Sequence, residues 1–394
     1  MTRILKRAAQ GLLILLVVLA GLGLWQRERV ARLGAVLTLF DEGRIVGNFS
    51  AMEDAFLTTP MPLSGPPATA FEDGPALVPP AGFDAWVTSS DVTGIVVLKG
   101  GRIAYEAYPL SAPDRTDDPA LRTRISWSLA KSFLSVLFGV IYEEGAIDSL
   151  DDPVIKYVPD LSGSAYDGTT IRNVLQMSSG VSFDEDYLDF WSDINKMGRI
   201  LGLGGSMDRF AIAQDETFVA PGERWQYVSI DTHILGMVIR GATGRTVPDL
   251  LNERVLSPLG LEVEPRYITD GKGVAFVLGG LLMSTRDYAR FGQMVADGGV
   301  AGDTLIISED WIAESTAPSA PTEDGKVGYG YQWWIPIGAT EGQVFGRGIY
   351  GQYLYIDRPR DVVIAVNAAD REFREAGVHA ANMEMIRAIA EALD

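Results

Sequence analysis

Strand-like segments stand at both ends of this chain and helix-like segments fill the stretch between them, a distribution that restricts the fold more than any other feature. Gly94 to Leu98 and Ile103 to Tyr108 are apolar runs around the turn Lys99-Gly100-Gly101-Arg102, the pattern of a β-hairpin. Strands return at Tyr329 to Ile335, Gln352 to Asp357 and Val362 to Asn367, and Arg358-Pro359-Arg360-Asp361 between the last two is a turn sequence. From Ser128 to Glu144, Leu129, Phe133, Val136, Leu137, Val140 and Ile141 recur at helical spacings of three and four, and Gly145 supplies a stop. Thr170, Ser206 and Ser284 stand where N-caps start short helices, and Phe373 to Leu393 reads as a terminal helix. Strands so far apart can pair only by joining one sheet. The expected class is therefore α+β: an antiparallel sheet of N- and C-terminal strands flanked by helices, with a mostly helical insertion over roughly residues 150–275.

The first 83 residues have a different character. Arg3, Lys6 and Arg7 precede an uncharged run from Ala8 to Gln26, rich in Leu and Val. A bilayer core takes about 20 apolar residues, so we expect 1–26 to anchor the chain in a membrane. The body then lies outside the cytoplasm, on the periplasmic side of a bacterial inner membrane. Cleavage as a signal peptide, leaving a secreted body, is the alternative, for which Leu19-Ala20-Gly21 offers a poor site. Arg27, Arg29 and Arg32 on the far side weaken the charge asymmetry that sets orientation. Residues 27–83 read as an extended connector, because Pro60, Pro62, Pro66, Pro67, Pro75, Pro79 and Pro80 exclude helix and central strand from its second half. The body spans 84–394.

Composition removes several functions. A net charge of −19 opposes nucleic-acid binding, which needs a basic surface. The absence of cysteine excludes disulfides, thiol catalysis and thiolate metal sites. The two histidines, His233 and His379, are far apart, so no metal and no cofactor is expected.

Three segments carry chemistry. In Ser128-Leu129-Ala130-Lys131 the hydroxyl and the amine lie three residues apart on one helix face, at a helix N-terminus. A desolvated, neutral lysine can take a serine proton. The motif is common by itself, and a capping serine beside a surface lysine is the plainer reading, but it opens an apolar helix just after a hairpin. In Tyr227-Val228-Ser229, a tyrosine beside an ammonium is favoured as tyrosinate and can act as base or proton relay; read alone, it is a core aromatic before a helix capped by Ser229. Gly346-Arg347-Gly348-Ile349-Tyr350-Gly351 matches a dinucleotide fingerprint formally, but it precedes a strand and not a helix. Glycines at a strand edge instead allow close approach to the backbone, where an N–H can stabilise an oxyanion. The acidic cluster Asp184, Glu185, Asp186, Asp189 and Asp193 reads as a solvated loop with Tyr187 leaning into a cleft; Trp333-Trp334 can line a pocket, with strand packing the plainer reading.

Together these segments resemble the penicillin-recognising serine hydrolases, a family that includes class C β-lactamases, D-alanyl-D-alanine carboxypeptidases and family VIII esterases. The likeness is strongest to the 6-aminohexanoate-dimer (nylon-oligomer) hydrolase branch. Ile171 to Gly180, Glu185-Asp186-Tyr187, Gly279 to Asp287 and Gly348-Ile349-Tyr350-Gly351-Gln352 add to it, over roughly residues 84–394. The resemblance implies a β-lactamase/transpeptidase-like fold, Ser128 as nucleophile, Lys131 as its activator and Tyr227 as proton-transfer residue. It implies an oxyanion hole from the backbone N–H groups of Ser128 and Ile349, and substrate contacts from Tyr187, Ser229, Gly348 and Tyr350. The Lys-Thr-Gly strand of β-lactamases and peptidases is replaced by Gly346-Arg347-Gly348, and their Tyr-x-Asn by Tyr-x-Ser. The expected function is therefore hydrolysis of small esters or linear amides through an acyl-enzyme. A weak class C-type β-lactamase or D-Ala-D-Ala carboxypeptidase-like cell-wall enzyme is the nearer alternative, and an idle binding module on the same fold the more distant one.

Overall fold

The computed structural model describes residues 5–7, 10–13, 21, 27–110 and 118–394. The expected anchor at 1–26 lies mostly outside them, and among the described residues no helix is long and apolar enough to cross a membrane.

A seven-stranded antiparallel sheet runs in the order Arg102–Ala107, Val92–Lys99, Val362–Ala368, Gln352–Asp357, Gln343–Gly348, Trp334–Ile335, Gly328–Tyr329. The first hairpin of the body thus pairs with the last long strand, Val97 opposite Ile364. Both sheet faces are covered, which is why Ile95 to Leu98 is a continuous apolar run and not an alternating one. Ile95 and Val97 pack against Phe83, Trp86, Ile386 and Ile389 on one side. Val96 and Leu98 belong to the larger core on the other, with Phe133, Leu137 and Phe291.

The helical stretch contains Ile171–Leu175, Asp193–Gly202, Met207–Ile212, Ser229–Thr243 and Val247–Leu251. The predicted caps form: Thr170 Oγ1 accepts from Asn173 N–H at 3.2 Å, Ser206 Oγ from Arg209 N–H at 3.3 Å and Ser284 Oγ from Asp287 N–H at 3.0 Å. Each ties up a donor that the first helical turn leaves open.

The structure departs from the expected elements in three places. Tyr329 to Ile335 is a hairpin, not one strand: Tyr329 pairs with Trp334, Gly330 N–H donates to Trp333 O at 2.9 Å, and Gln332 takes φ 65°. Gln332 holds that left-handed conformation through its side chain, which accepts from Thr232 Oγ1 at 2.7 Å and donates to Leu175 O at 2.9 Å. Second, Gln343–Gly348 is a full strand, registered against Gln352–Asp357 from Gln343–Asp357 to Gly348–Gln352. Third, the segment expected as a connector is built into the body. Leu39, Ile45, Phe49, Met52 and Phe56 are buried in the larger core. Leu57–Pro60 is an edge strand of a second, four-stranded sheet with Arg266–Thr269, Leu281–Met283 and Arg124–Ile125. The proline-rich half does run extended, with Gly74 and Leu77 N–H groups bonding Ile103 and Ala104 carbonyls, so it covers the free edge of the large sheet.

Candidate active site

The site begins where the second sheet turns into the central helix. Ser126 N–H donates to Leu281 O at 2.8 Å, a 3₁₀ turn covers Trp127–Leu129, and the helix Ala130–Glu143 follows. Trp127 has φ 42°, a left-handed conformation costing on the order of 1–3 kcal/mol in a non-glycine residue, immediately before Ser128. Lys131, one turn on, is 2 % exposed; its Nζ lies 3.0 Å from Ser128 Oγ and donates to Leu278 O at 2.9 Å. Burial strips the ammonium of water and lowers its pKa to about 7, against the opposing pull of the Glu185 carboxylate.

Tyr227 closes the site from the loop before the helix Ser229–Thr243. Gly222 N–H donates to Ser178 O at 2.7 Å and Gln226 N–H to Met177 O at 3.0 Å, so the Ile171–Gly180 segment braces that loop. The Tyr227 ring stacks on Trp334 with centroids 5.1 Å apart, and Lys131 Nζ sits 5.3 Å from its centre. Burial, then the nearby Glu185 charge, pushes the phenol well above its usual range, although the Ser128 hydroxyl and the Arg347 charge pull the other way. The expected tyrosinate is therefore disfavoured: burial and the Glu185 charge outweigh the groups that favour it, and Lys131 itself tends to neutrality. Near pH 7 the pair is a protonated phenol beside an amine able to accept a proton.

Glu185, expected in a solvated acidic loop, instead turns into the site. Its Oε1 accepts from Ser229 N–H and its Oε2 from the Tyr187 hydroxyl at 2.8 Å. Burial raises its pKa, and Lys131 is the largest influence holding it down. Ser229 is fully buried at the start of its helix, with its hydroxyl near Tyr227, Tyr187 and Glu185.

The strand Gln343–Gly348 passes over the Ser128 turn, and its glycines make room for it. A Cβ at 346 would lie 2.4 Å from Leu129 Cδ1, and one at 348 would lie 2.4 Å from Ser126 O. Alternation along the strand puts Arg347 on the opposite face with Phe345, opposite Tyr353 and near His379. Ile349 begins the turn that follows, and Tyr350 takes φ 60°. The Tyr350 ring stacks on Phe40 at 4.9 Å and meets Phe373 at 4.5 Å and Trp127 at 6.3 Å. Tyr187 meets Phe373 at 6.5 Å, so Tyr187 and Tyr350 line one aromatic wall.

The structure thus brings Ser128, Lys131, Tyr227, Ser229, Gly348 and Tyr187 into one constellation, and leads the Tyr350 ring away to the wall. Sequence reasoning missed Glu185 as a site charge, the Leu278 carbonyl, Trp334 as the platform for Tyr227, and Phe40. The signal for Glu185 was its place two residues before Tyr187; a backbone carbonyl leaves no signal. Of the two tryptophans, Trp333 is core and Trp334 is site.

The model of the beta-lactamase family matches residues 91–384. The chain belongs to that family. A 6-aminohexanoate-dimer hydrolase from Paenarthrobacter ureafaciens is 31% identical over 284 residues, which cover 68% of this chain and 70% of that protein. Penicillin-binding protein 4* of Bacillus subtilis (strain 168) is 23% identical over 335 residues, 73% of this chain and 70% of the other. Among solved structures, a Bacillus anthracis protein provisionally assigned as a 6-aminohexanoate-dimer hydrolase superposes with a TM-score of 0.76 at 22% identity, covering 90% of this chain and 96% of that one. Beta-lactamase family membership makes the chain a serine hydrolase related to 6-aminohexanoate-dimer hydrolase, on the β-lactamase/transpeptidase-like fold of antiparallel sheets flanked by helices.

Proposed function

We propose that the chain hydrolyses small carboxylic esters or linear amides through an acyl-enzyme on Ser128. The observation that carries this reading is the buried Lys131 amine 3.0 Å from the Ser128 hydroxyl, with its pKa drawn down to about 7. Neutral Lys131 takes the Ser128 proton as Oγ attacks the substrate carbonyl. The Ser128 and Ile349 N–H groups stabilise the oxyanion. Tyr227, protonated and within reach of Ser128, hands its proton to the departing alkoxide or amine and recovers one from the Lys131 ammonium. Water then attacks the acyl-enzyme by the reverse route, and Ser128 regains its proton.

Two features favour a small ester or linear amide over a β-lactam. The strand beside the Ser128 turn reads Gly346-Arg347-Gly348 in place of Lys-Thr-Gly, so it has no lysine there, and Ser229 stands where family members that take β-lactams have an asparagine. The relative from Paenarthrobacter ureafaciens supports the linear amide. A fluorophosphonate probe should label the wild type and not Ser128→Ala; an unlabelled wild type refutes the acyl-enzyme. In a panel of short p-nitrophenyl esters, a linear 6-aminohexanoate amide and a chromogenic cephalosporin, fast turnover of the cephalosporin alone would replace this substrate assignment with a β-lactamase.

A further inference from the structure

The loop that follows Tyr187 carries an exposed apolar surface that the chemistry does not use. Leu188 is 78% and Trp191 77% exposed, with Phe190 beside them. Phe190 and Trp191 pack edge to face at 4.9 Å, and the Arg199 guanidinium lies 4.1 Å from the Phe190 ring centre and 6.0 Å from that of Trp191. Arg199 belongs to the helix Asp193–Gly202, whose last residue is packed closely enough against Val36 that a Cβ on Gly202 would lie 3.0 Å from Val36 Cγ2. The helix Arg27–Leu37 therefore lies against the same region and adds exposed Leu37 to it. Phe40, just beyond, stacks on Tyr350, which meets Phe373 and through it Tyr187. Unbroken contacts thus join the N-terminal helix, the exposed aromatics and the cleft wall.

The sequence indicates what covers this surface. The uncharged run from Ala8 to Gln26 ends one residue before the helix Arg27–Leu37, and 11 helical residues extend only about 16 Å. Whatever surface holds that run is brought within about one short helix of Leu188, Phe190 and Trp191. Exposed Trp, Phe and Leu beside an arginine that shields its stem against aromatic rings is the composition of a segment at lipid headgroup depth. We propose that the Leu188–Trp191 loop and the exposed edge of the Arg27–Leu37 helix sit in the headgroup layer of a bilayer. The cleft then opens onto the membrane and takes acyl-bearing esters or amides from it. The choice of such substrates rests on the hydrolase reading above; the bilayer contact does not.

The chain has no cysteine, so single substitutions can carry one fluorophore each. Leu188→Cys and Trp191→Cys probe the patch, and Leu305→Cys probes an exposed leucine on the Val300–Leu305 hairpin, outside these contacts. The full chain is reconstituted into phosphatidylcholine vesicles brominated in the acyl chain, the apolar side of such a segment being buried about 5–10 Å deep. Labels at 188 and 191 should lose about half their emission or more to bromolipid and resist aqueous iodide, with the reverse at 305. Labels at 188 and 191 that iodide quenches and bromolipid does not would overturn the proposal. So would labels shielded from both, which would mean that the N-terminal run or a second copy covers the patch. For the substrate, the triple variant Leu188→Ser, Phe190→Ser, Trp191→Ser should lower turnover of a long-chain ester in vesicles about tenfold and leave a water-soluble acetyl ester within about twofold. An equal fall on both esters refutes delivery from the bilayer. A wild type that turns over neither ester refutes the hydrolase reading and leaves the quenching result to decide the contact.

Discussion

Lys131 and Glu185 act on each other across the site, and their balance sets the pH at which the serine is activated. Burial lowers the lysine and the carboxylate raises it again, to a net value of about 7. With neutral lysine as the base, kcat/KM for a water-soluble ester should climb with pH on a limb centred near 7 and level off above it. Replacing Glu185 with glutamine removes the charge that favours the ammonium, so the limb should move to lower pH. A limb that stays put in Glu185→Gln, or moves up, would mean that another group sets it. Lys131→Arg keeps the cation but cannot release its proton, and should cost about 10²–10⁴ in kcat with little change in folding by circular dichroism.

At the scale of elements, the strand Gln343–Gly348 and the helix Ala130–Glu143 meet through two glycines whose surroundings differ. At 346 the clashing atom is the end of a flexible leucine side chain, whereas at 348 it is the Ser126 carbonyl, part of the backbone that leads into Ser128. Gly348→Ala should therefore lower kcat far more than Gly346→Ala, and lose about 1–3 kcal/mol in thermal or denaturant melts. Equal effects would show that the strand can lift away from the turn. This contact also shows why the strand escaped sequence reading. Gly346 and Gly348 lower strand propensity, so the sequence marks only a glycine-rich strand edge before Gln352 and not a strand of its own, yet the close passage demands them. By contrast, the Val92–Lys99 and Val362–Ala368 strands and the Ala130–Glu143 helix were legible because their apolar periodicity is local. The hairpin at Gly330–Trp333 was not, because the hydrogen bonds that hold Gln332 left-handed come from residues up to 158 positions away. The same holds for the site. Ser128, Lys131 and Tyr227 carry local motifs, whereas Glu185 enters through a loop whose fold depends on Ser229.

Across the whole molecule, two buried ionisable groups tie stability to pH in opposite senses. Asp231, fully buried in the helix Ser229–Thr243, accepts at Oδ1 from Tyr166 OH at 2.7 Å and from Ser179 Oγ at 2.8 Å; among the described residues its Oδ2 has no hydrogen-bond partner. Burial raises its pKa from 3.8 to about 7, outweighing those two hydrogen bonds. Between these values the folded state binds the extra proton, so this group's contribution to stability falls as pH rises from about 4 to 7. Lys131 behaves in the opposite way: its pKa falls on folding, the unfolded chain holds the extra proton between about 7 and 10.5, and stability rises with pH over that window. The combined penalty is greatest near neutrality, where the proposed mechanism needs the amine to be half neutral. Asp231→Asn keeps an oxygen for Tyr166 and Ser179 and removes the charge. Its stability relative to wild type should therefore improve between pH 5 and pH 8 by on the order of 2 kcal/mol, read from denaturant melts at each pH. A difference that stays flat over that range would mean that Asp231 does not titrate there, and that its Oδ2 finds a partner when the protein is in water.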